Sequence, residues 1–281
     1  MVGSTYGVKI MKVCVLASGS KGNVTYVETN QHKLLLDIGT NVKYIKEKLL
    51  ELEVLIDDID MVFISHIHDD HIKALEQFIK KYHAKIYMTR AMIEELPREH
   101  KIRVYDNLVL YDDDIYVDTL KVEVIKTSHD TKDSKGFILS ECGKSVVYLT
   151  DTGYLNQKYF PKLRDKSVYL FESNHDIEML INGSYPKWLK SRVVGPYGHL
   201  SNKDASLYLA KLVGVDTKKI ILMHLSEHNN TPEAAIDTIH NVFKEYNVDF
   251  DDIKCASQKE KSEVITLWFK YYVWERLKRV I

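Results

Sequence analysis

The residues of this 281-residue chain that invite chemistry sit together in Ser65-His66-Ile67-His68-Asp69-Asp70-His71. They follow the apolar run Met61 to Ile64, so their side chains emerge where a buried strand ends, the usual place for ligand sites in α/β sheets. His66 and His68 are two apart and point the same way while the chain is still extended. Asp70 and His71 open the next helix and approach from a second direction. Imidazole and carboxylate in this arrangement suit two neighbouring divalent cations, zinc foremost, with manganese or iron also accepted by such donors. A solvated loop rich in His and Asp is the plain alternative, and the density of ligand types at one strand end argues against it. Such a centre lowers the pKa of a bound water from about 15.7 to about 7 and neutralises charge growing on a phosphodiester. No Ser-His-Asp nucleophile motif or P-loop occurs, so metal-assisted hydrolysis is the economical reaction class.

Several elements must position these groups. Short β-branched runs predict strands at 12–17, 24–29, 33–37 and 61–65, with a helix at 42–52 between the last two. A helix follows at 71–81, a strand at 86–88, and further strands at 120–126, 136–140 and 145–149. The second half starts another cycle with a strand at 167–171 and a helix opening at Ser201, whose hydroxyl can cap it with Asp204 placed for a capping box. A strand at 220–223 comes next, and Thr231-Pro232-Glu233 supplies a cap residue, an N1 proline and a first-turn acid for another helix. Strands in runs with helices between and after them predict an α/β sandwich of sheets covered by helices.

The 39 Lys and Arg against 40 Asp and Glu leave a formal charge of -1, which excludes a histone-like basic coat. With 45% hydrophobic residues the chain can bury a sizeable core. Its three cysteines, Cys14, Cys142 and Cys255, are odd in number and far apart, so neither a disulfide framework nor a Cys-based zinc site is indicated. No apolar run approaches the roughly 18 residues of a spanning helix, and the first residues lack a signal-peptide core. A soluble, unexported, cytoplasmic protein is expected. No repeat or Pro-rich linker divides the sequence, so one domain is expected over 1–267, followed by a basic-aromatic extension at 268–281. That extension holds five aromatics and four basic residues against one acid. Such a mixture could stack on bases or lie on a membrane surface. A terminal helix packing its apolar face on the body or on a second subunit, in a homo-oligomer, is the reading preferred.

The run His66-x-His68-x-Asp70-His71 resembles the HxHxDH motif of the metallo-β-lactamase superfamily, whose other motifs occur in the expected order. These are Asp37 after Leu34-Leu35-Leu36, His129 in Thr127-Ser128-His129-Asp130, Asp151 in Thr150-Asp151-Thr152-Gly153, and His224 in Leu222-Met223-His224-Leu225-Ser226. Ala17-Ser18-Gly19-Ser20-Lys21-Gly22-Asn23, Glu172-Ser173-Asn174-His175-Asp176 and Gly198-His199-Leu200-Ser201-Asn202, with Asn229-Asn230-Thr231-Pro232, look like the YycJ (WalJ) group of bacterial metallohydrolases. The resemblance implies a four-layer αβ/βα sandwich with a dinuclear centre at its edge. It implies one metal held by His66, His68 and His129 and a second by Asp70, His71 and His224, with Asp151 bridging. Asp37 would orient a ligand histidine from behind, Asp70 would also orient the attacking water, and His199 would act as general acid. Position 69, Asp here and small in many relatives, is not a ligand position.

Other residues are read more plainly. His175 is a second acid candidate at a strand end, with Glu172 as its orienting partner, or else a satisfied polar turn. The glycine-rich stretch 18–23 is a tight hairpin whose Ser20 and Asn23, with Asn174 further on, are candidate substrate contacts. His32, His83, His100, His228 and His240 match no motif and are read as surface or structural. The leading expectation is a metal-dependent phosphodiesterase, a nuclease of exonuclease type acting on DNA or RNA. A phosphodiesterase for cyclic or other small nucleotides is the closest rival, with thioester or lactam hydrolysis and a non-catalytic binding module behind it. Nucleic-acid binding predicts steep salt dependence, which a closed cyclic-nucleotide pocket does not.

Overall fold

A strand buried on both faces reads as an uninterrupted apolar run, and Leu34-Leu35-Leu36 and Val146-Val147-Tyr148-Leu149 are of this kind. The computed structural model, which describes residues 5–273 and the side chains of residues 10–269, places them in two seven-stranded sheets. The first sheet takes β1 (Thr5–Ala17), β2 (Val24–Glu28), β3 (Lys33–Leu36), β4 (Met61–Phe63), β5 (Lys85–Met88) and β6 (Leu108–Leu110). The second takes β7 (Ile115–Val117), β8 (Leu120–Lys126), β9 (Lys135–Glu141), β10 (Lys144–Leu149), β11 (Val168–Glu172), β12 (Lys219–Met223) and β13 (Ile253–Cys255). β14 (Ile265–Val273) then returns to pair antiparallel with β1. Between strands lie α1 (Val42–Leu50), α2 (Asp69–Ile72), α3 (Leu75–Lys81), α4 (Arg90–Glu95), α5 (Phe160–Leu163), α6 (Ile177–Asn182), α7 (Lys187–Val193), α8 (Asn202–Leu212) and α9 (Pro232–Glu245).

Alternation assigns each side chain to a layer. Leu34, Leu36 and Phe63 of the first sheet face Phe137, Val146 and Tyr148 of the second in one shared core. Leu35, Val62 and Ile86 point the other way, against Ile45 and Leu49 of α1 and Leu75 and Phe78 of α3. Val147, Leu149 and Phe171 cover the outer face of the second sheet with Leu209 of α8 and Ile239 and Phe243 of α9. The result is the expected helix-sheet-sheet-helix sandwich, each buried large apolar side chain contributing about 1.5–3 kcal/mol. Ser201 caps α8 by accepting from the Asp204 N–H, and Thr231 caps α9 by accepting from Ala234 ahead of Pro232. Among the described residues no helix is long and apolar enough to cross a membrane.

Strand direction gathers the loops that matter. β3 to β6 run parallel, as do β10 to β13. β8 runs with β10 because both are antiparallel to β9, and β1 runs with β3 through β2. The carboxyl ends of β1, β3, β4, β8, β10, β11 and β12 therefore open on one edge.

Two expectations need correction. The helix at 71–81 is two pieces, because the carbonyls of Asp70 and His71 accept from Asn23 N and Ile38 N, and Ala74 N donates to Ile38 O. Tertiary partners thus replace the helical ladder at its first turn. The terminal helix is not formed from 268: Ile265, Leu267 and Phe269 are buried while Trp268 is 65% exposed, the period of a strand, and β14 runs through the expected boundary at 267. Residues 274–281 of that extension lie outside the described residues.

Candidate metal centre

Seven site residues sit at or just past a strand end, while His68 precedes α2 and Asp70 and His71 lie on it. Asp37 follows β3, Ser65 and His66 follow β4, His129 follows β8, Asp151 follows β10, Glu172 ends β11 and His224 follows β12. Asp37, Asp151 and His224 have φ of 58°, 51° and 55°, in the left-handed region. Asp and His are both enriched there among non-glycine residues, though the conformation still costs about 1–2 kcal/mol for an L-residue in general. His224 is held there by its own N–H donating to Ser18 Oγ (2.8 Å) and its carbonyl accepting from Asn174 Nδ2 (2.9 Å).

The first donor group is His66, His68 and His129. His68 Nδ1 lies 3.2 Å from His66 Nε2 and 3.1 Å from His129 Nε2. His129 Nδ1 is 3.2 Å from the Gly198 carbonyl and must donate to it, which leaves the Nε2 lone pair facing the group. Burial pushes the pKa of His66 and of His129 below the usual imidazole value, so both rings are neutral at pH 7. Ring nitrogens converging in this way could hold a cation.

The second group is Asp70, His71 and His224. Asp70 Oδ2 lies 3.6 Å from His71 Nε2 and 3.4 Å from His224 Nε2, an atom that is buried without a hydrogen-bond partner. Asp151 stands between the groups, with Oδ2 3.2 Å from His71 Nε2 and Oδ1 3.7 Å from His129 Nε2. Burial opposes charge at both rings, but the carboxylates outweigh it: Asp37 and Asp151 hold His71 well above the usual value, and Asp151, Asp70 and Glu172 push His224 up to about 10. For Asp151 burial likewise opposes the charged form, and His224 and His71 keep it ionised.

Asp37 is fully buried behind His71, its Oδ2 2.7 Å from His71 Nδ1. It also accepts from Ser65 N, Ser65 Oγ and Tyr148 OH, each at 2.7 Å. Gly39 permits the close approach of this loop, since a Cβ there would lie 1.6 Å from the Asp70 carbonyl oxygen.

His199 lines the cavity of about 180 Å³ over the two groups, together with Ser20, Asp70, Asp151 and His224. Its Nδ1 lies 2.7 Å from Glu172 Oε1, which is also 3.2 Å from His224 Nδ1. Glu172 accepts N–H bonds from Thr152 (2.9 Å) and Leu200 (3.2 Å), and despite burial its pKa drops to about 2 beside His199 and His224. The expected pairing of Glu172 with His175 is not formed. His175 Nδ1 is buried without a partner, its pKa pushed by burial to about 4, and the ring does not line the cavity. Asn23 and Asn174 are buried as well: Asn23 Nδ2 lies 3.0 Å from His71 Nε2, and Asn174 holds the His224 carbonyl. Of the candidate substrate contacts, Ser20 is the one exposed at the cavity.

One site residue, Asp130, and one pairing, that of Glu172 with His199, escaped the sequence reading. Glu172, expected beside His175, ends the apolar run Val168 to Phe171 just as Asp37 ends Leu34 to Leu36. Asp130 Oδ1 lies 3.4 Å from both His68 Nε2 and His129 Nε2, while Oδ2 accepts from Arg192 Nε at 2.7 Å.

A profile described as the metallo-beta-lactamase superfamily matches residues 17–224. A protein named exodeoxyribonuclease YycJ from Bacillus anthracis is 34% identical over 239 residues, covering 82% of this chain and 88% of its own. One named exodeoxyribonuclease WalJ from Streptococcus pneumoniae is 34% identical over 234 residues, covering 82% and 87%. Among solved structures, the metallo-beta-lactamase fold protein YhfI from Bacillus subtilis superposes with a TM-score of 0.62 at 18% identity, over 94% of this chain and 100% of that one.

Proposed function

This chain belongs to the metallo-β-lactamase superfamily, and from that premise we propose that it is a dinuclear metal-dependent exonuclease hydrolysing phosphodiester bonds at DNA ends. The observation that carries the reading is Asp151 standing between two converging donor groups in a chain 34% identical to proteins named exodeoxyribonuclease. His66, His68 and His129 would hold one cation and Asp70, His71 and His224 the other, with Asp151 shared. The unpartnered, buried His224 Nε2 and the facing nitrogens of the first group fit such an occupant. Zinc is the first choice for this donor set and manganese the second. When bound, the cations supply Lewis acidity, which activates water at neutral pH and offsets charge on the phosphodiester.

The remaining work falls to the chain. Asp37 fixes the ring of His71, and Asp70 orients the attacking water within the cavity. Glu172 engages His199 Nδ1, leaving Nε2 to hold the proton that the departing alkoxide needs. The Glu172 carboxylate, 2.7 Å from Nδ1, fixes the orientation of that ring. Three free cysteines, Cys14, Cys142 and Cys255, suit a reducing cytoplasm.

The test is an assay of purified protein with zinc or manganese on duplex and single-stranded DNA, RNA, an aryl phosphodiester and cyclic mononucleotides, with His66→Ala as control. Progressive metal-dependent shortening of DNA is expected. Turnover confined to cyclic nucleotides, or none above the control, would overturn the reading.

A further inference from the structure

Beside the metal cavity lies a second one of about 280 Å³. The two share His129 and Tyr197 in their linings, so they are neighbours across one wall. The second cavity is lined by Lys126, Lys132 and Lys158, by hydroxyls including Ser128 and Thr131, and by no carboxylate. Among the described residues none of the three ammonium groups is ion-paired, and the acids nearby are otherwise engaged. Asp133 pairs with Lys135 (2.7 Å), Asp114 and Glu123 with Lys162 (3.6 and 3.7 Å), and Asp130 with Arg192. Glu95 accepts from the Lys132 backbone N–H (2.7 Å). In a chain whose charges sum to -1, three unpaired cations round one polar hollow mark a built-in counter-charge. The lysines stand on an ordered frame: Lys158 Nζ lies 4.9 Å over the Tyr159 ring, and the Tyr159 hydroxyl accepts from Lys126 N. Tyr154 and Tyr197 at the rim are 46% and 63% exposed, the amphipathic surfaces on which bases stack.

We propose that this lysine-lined cavity is a second phosphate subsite, which holds a phosphate of the strand next to the one being cleaved. The proposal rests on the preceding reading that the substrate is a nucleic acid. Tyr197, common to both cavities, receives the base between them. The ligand chemistry is a phosphate group, either a terminal monoester or an internal diester.

Binding is read by anisotropy of fluorescent DNA duplexes on the full chain with chelator present, so that no turnover intervenes. The duplexes carry a 5′-phosphate, a 3′-phosphate or hydroxyl ends. Replacing Lys126, Lys132 and Lys158 together by Ala is expected to weaken binding at least tenfold and to lower the slope of log K against log salt by about one or more. A loss confined to one phosphorylated end assigns the subsite to a terminal monoester, and an equal loss on all three duplexes assigns it to an internal diester. A control replacing Lys81, Lys211 and Lys244, each in the last turn of its helix, removes the same net charge and is expected to leave affinity within twofold. The three lysines replaced by Gln give a second variant, and thermal melting confirms that both are folded. Affinity within twofold of wild type, the same loss in the remote control, or no DNA binding by wild type would each overturn the proposal. Because turnover is not the readout, wild type that binds but does not cleave would sink the exonuclease reading and leave this test intact.

Discussion

The Tyr148 hydroxyl, carried on β10 of the second sheet, donates at 2.7 Å to Asp37 Oδ2 at the end of β3 in the first. One buried hydrogen bond thus ties the two sheets at the carboxylate that orients His71. Tyr148→Phe removes the hydroxyl and leaves that oxygen of Asp37 to Ser65 and His71 alone. The expected cost is about 1–2 kcal/mol of stability. Loss of support behind a ligand ring is expected to weaken the second cation about tenfold or more. Urea unfolding and metal titration check the two effects, and unchanged metal affinity would show that Ser65 suffices.

Glu172 holds two rings at once, 2.7 Å from His199 Nδ1 and 3.2 Å from His224 Nδ1. With its pKa near 2 it is charged at every pH at which the protein is assayed. Glu172→Gln keeps the shape and removes the charge facing His199 Nδ1. The expected outcome is a fall in kcat of about a hundredfold with KM changed far less. Metal content is measured in parallel: a proportionate loss of metal would assign the effect to His224 instead of proton transfer.

Gly39 is a purely steric case. Its backbone is not in the left-handed region, yet a Cβ there would meet the Asp70 carbonyl oxygen at 1.6 Å and the carbonyl carbon at 2.2 Å. Both atoms are backbone, so no side-chain rotation relieves the clash. Gly39→Ala is expected to cost about 3 kcal/mol or more and to displace Asp70 and His71 from the second donor group. Denaturation and metal stoichiometry read the outcome, and a wild-type stability would mean that the loops bearing Gly39 and Asp70 part without cost.

The run from His66 to His71 was legible because its ligands are local, two or more within one strand end, and Asp37, Asp151 and His224 were legible through the motifs around them. The partner of Glu172 was not, because an acid closing an apolar strand looks the same whether it holds the nearby His175 or a histidine 27 residues away. Asn23 and Asn174 read as open loop polar groups, and only tertiary packing shows them enclosed. The break between α2 and α3 likewise depends on partners from the loops at Asn23 and Ile38, remote in sequence from the helix itself. In the tail, a mixture of aromatic and basic residues from Trp268 on suits a helix or a strand equally, and only the pairing of β14 with β1 settles it as a strand.

Proton linkage separates the two donor groups. In the metal-free protein the His71 and His224 rings are held protonated by Asp37, Asp151, Asp70 and Glu172, His224 with a pKa near 10. Their folded values exceed the unfolded value of about 6.5, so the stability they contribute is complete below that pH and is lost as pH rises towards 10. His66 and His129 are shifted the other way by burial, so their contribution is present above about 6.5 and declines as pH falls. Metal-free stability should therefore fall on both sides of neutrality, which urea titration between pH 5 and pH 10 would follow. A cation in the second group must displace the protons on His71 and His224, whereas His66 and His129 have none to give. Calorimetric titration at pH 7 in buffers of different ionisation heat should find more protons released with the cation of the second group than with that of the first. Equal release at both would contradict the charge states assigned to the rings.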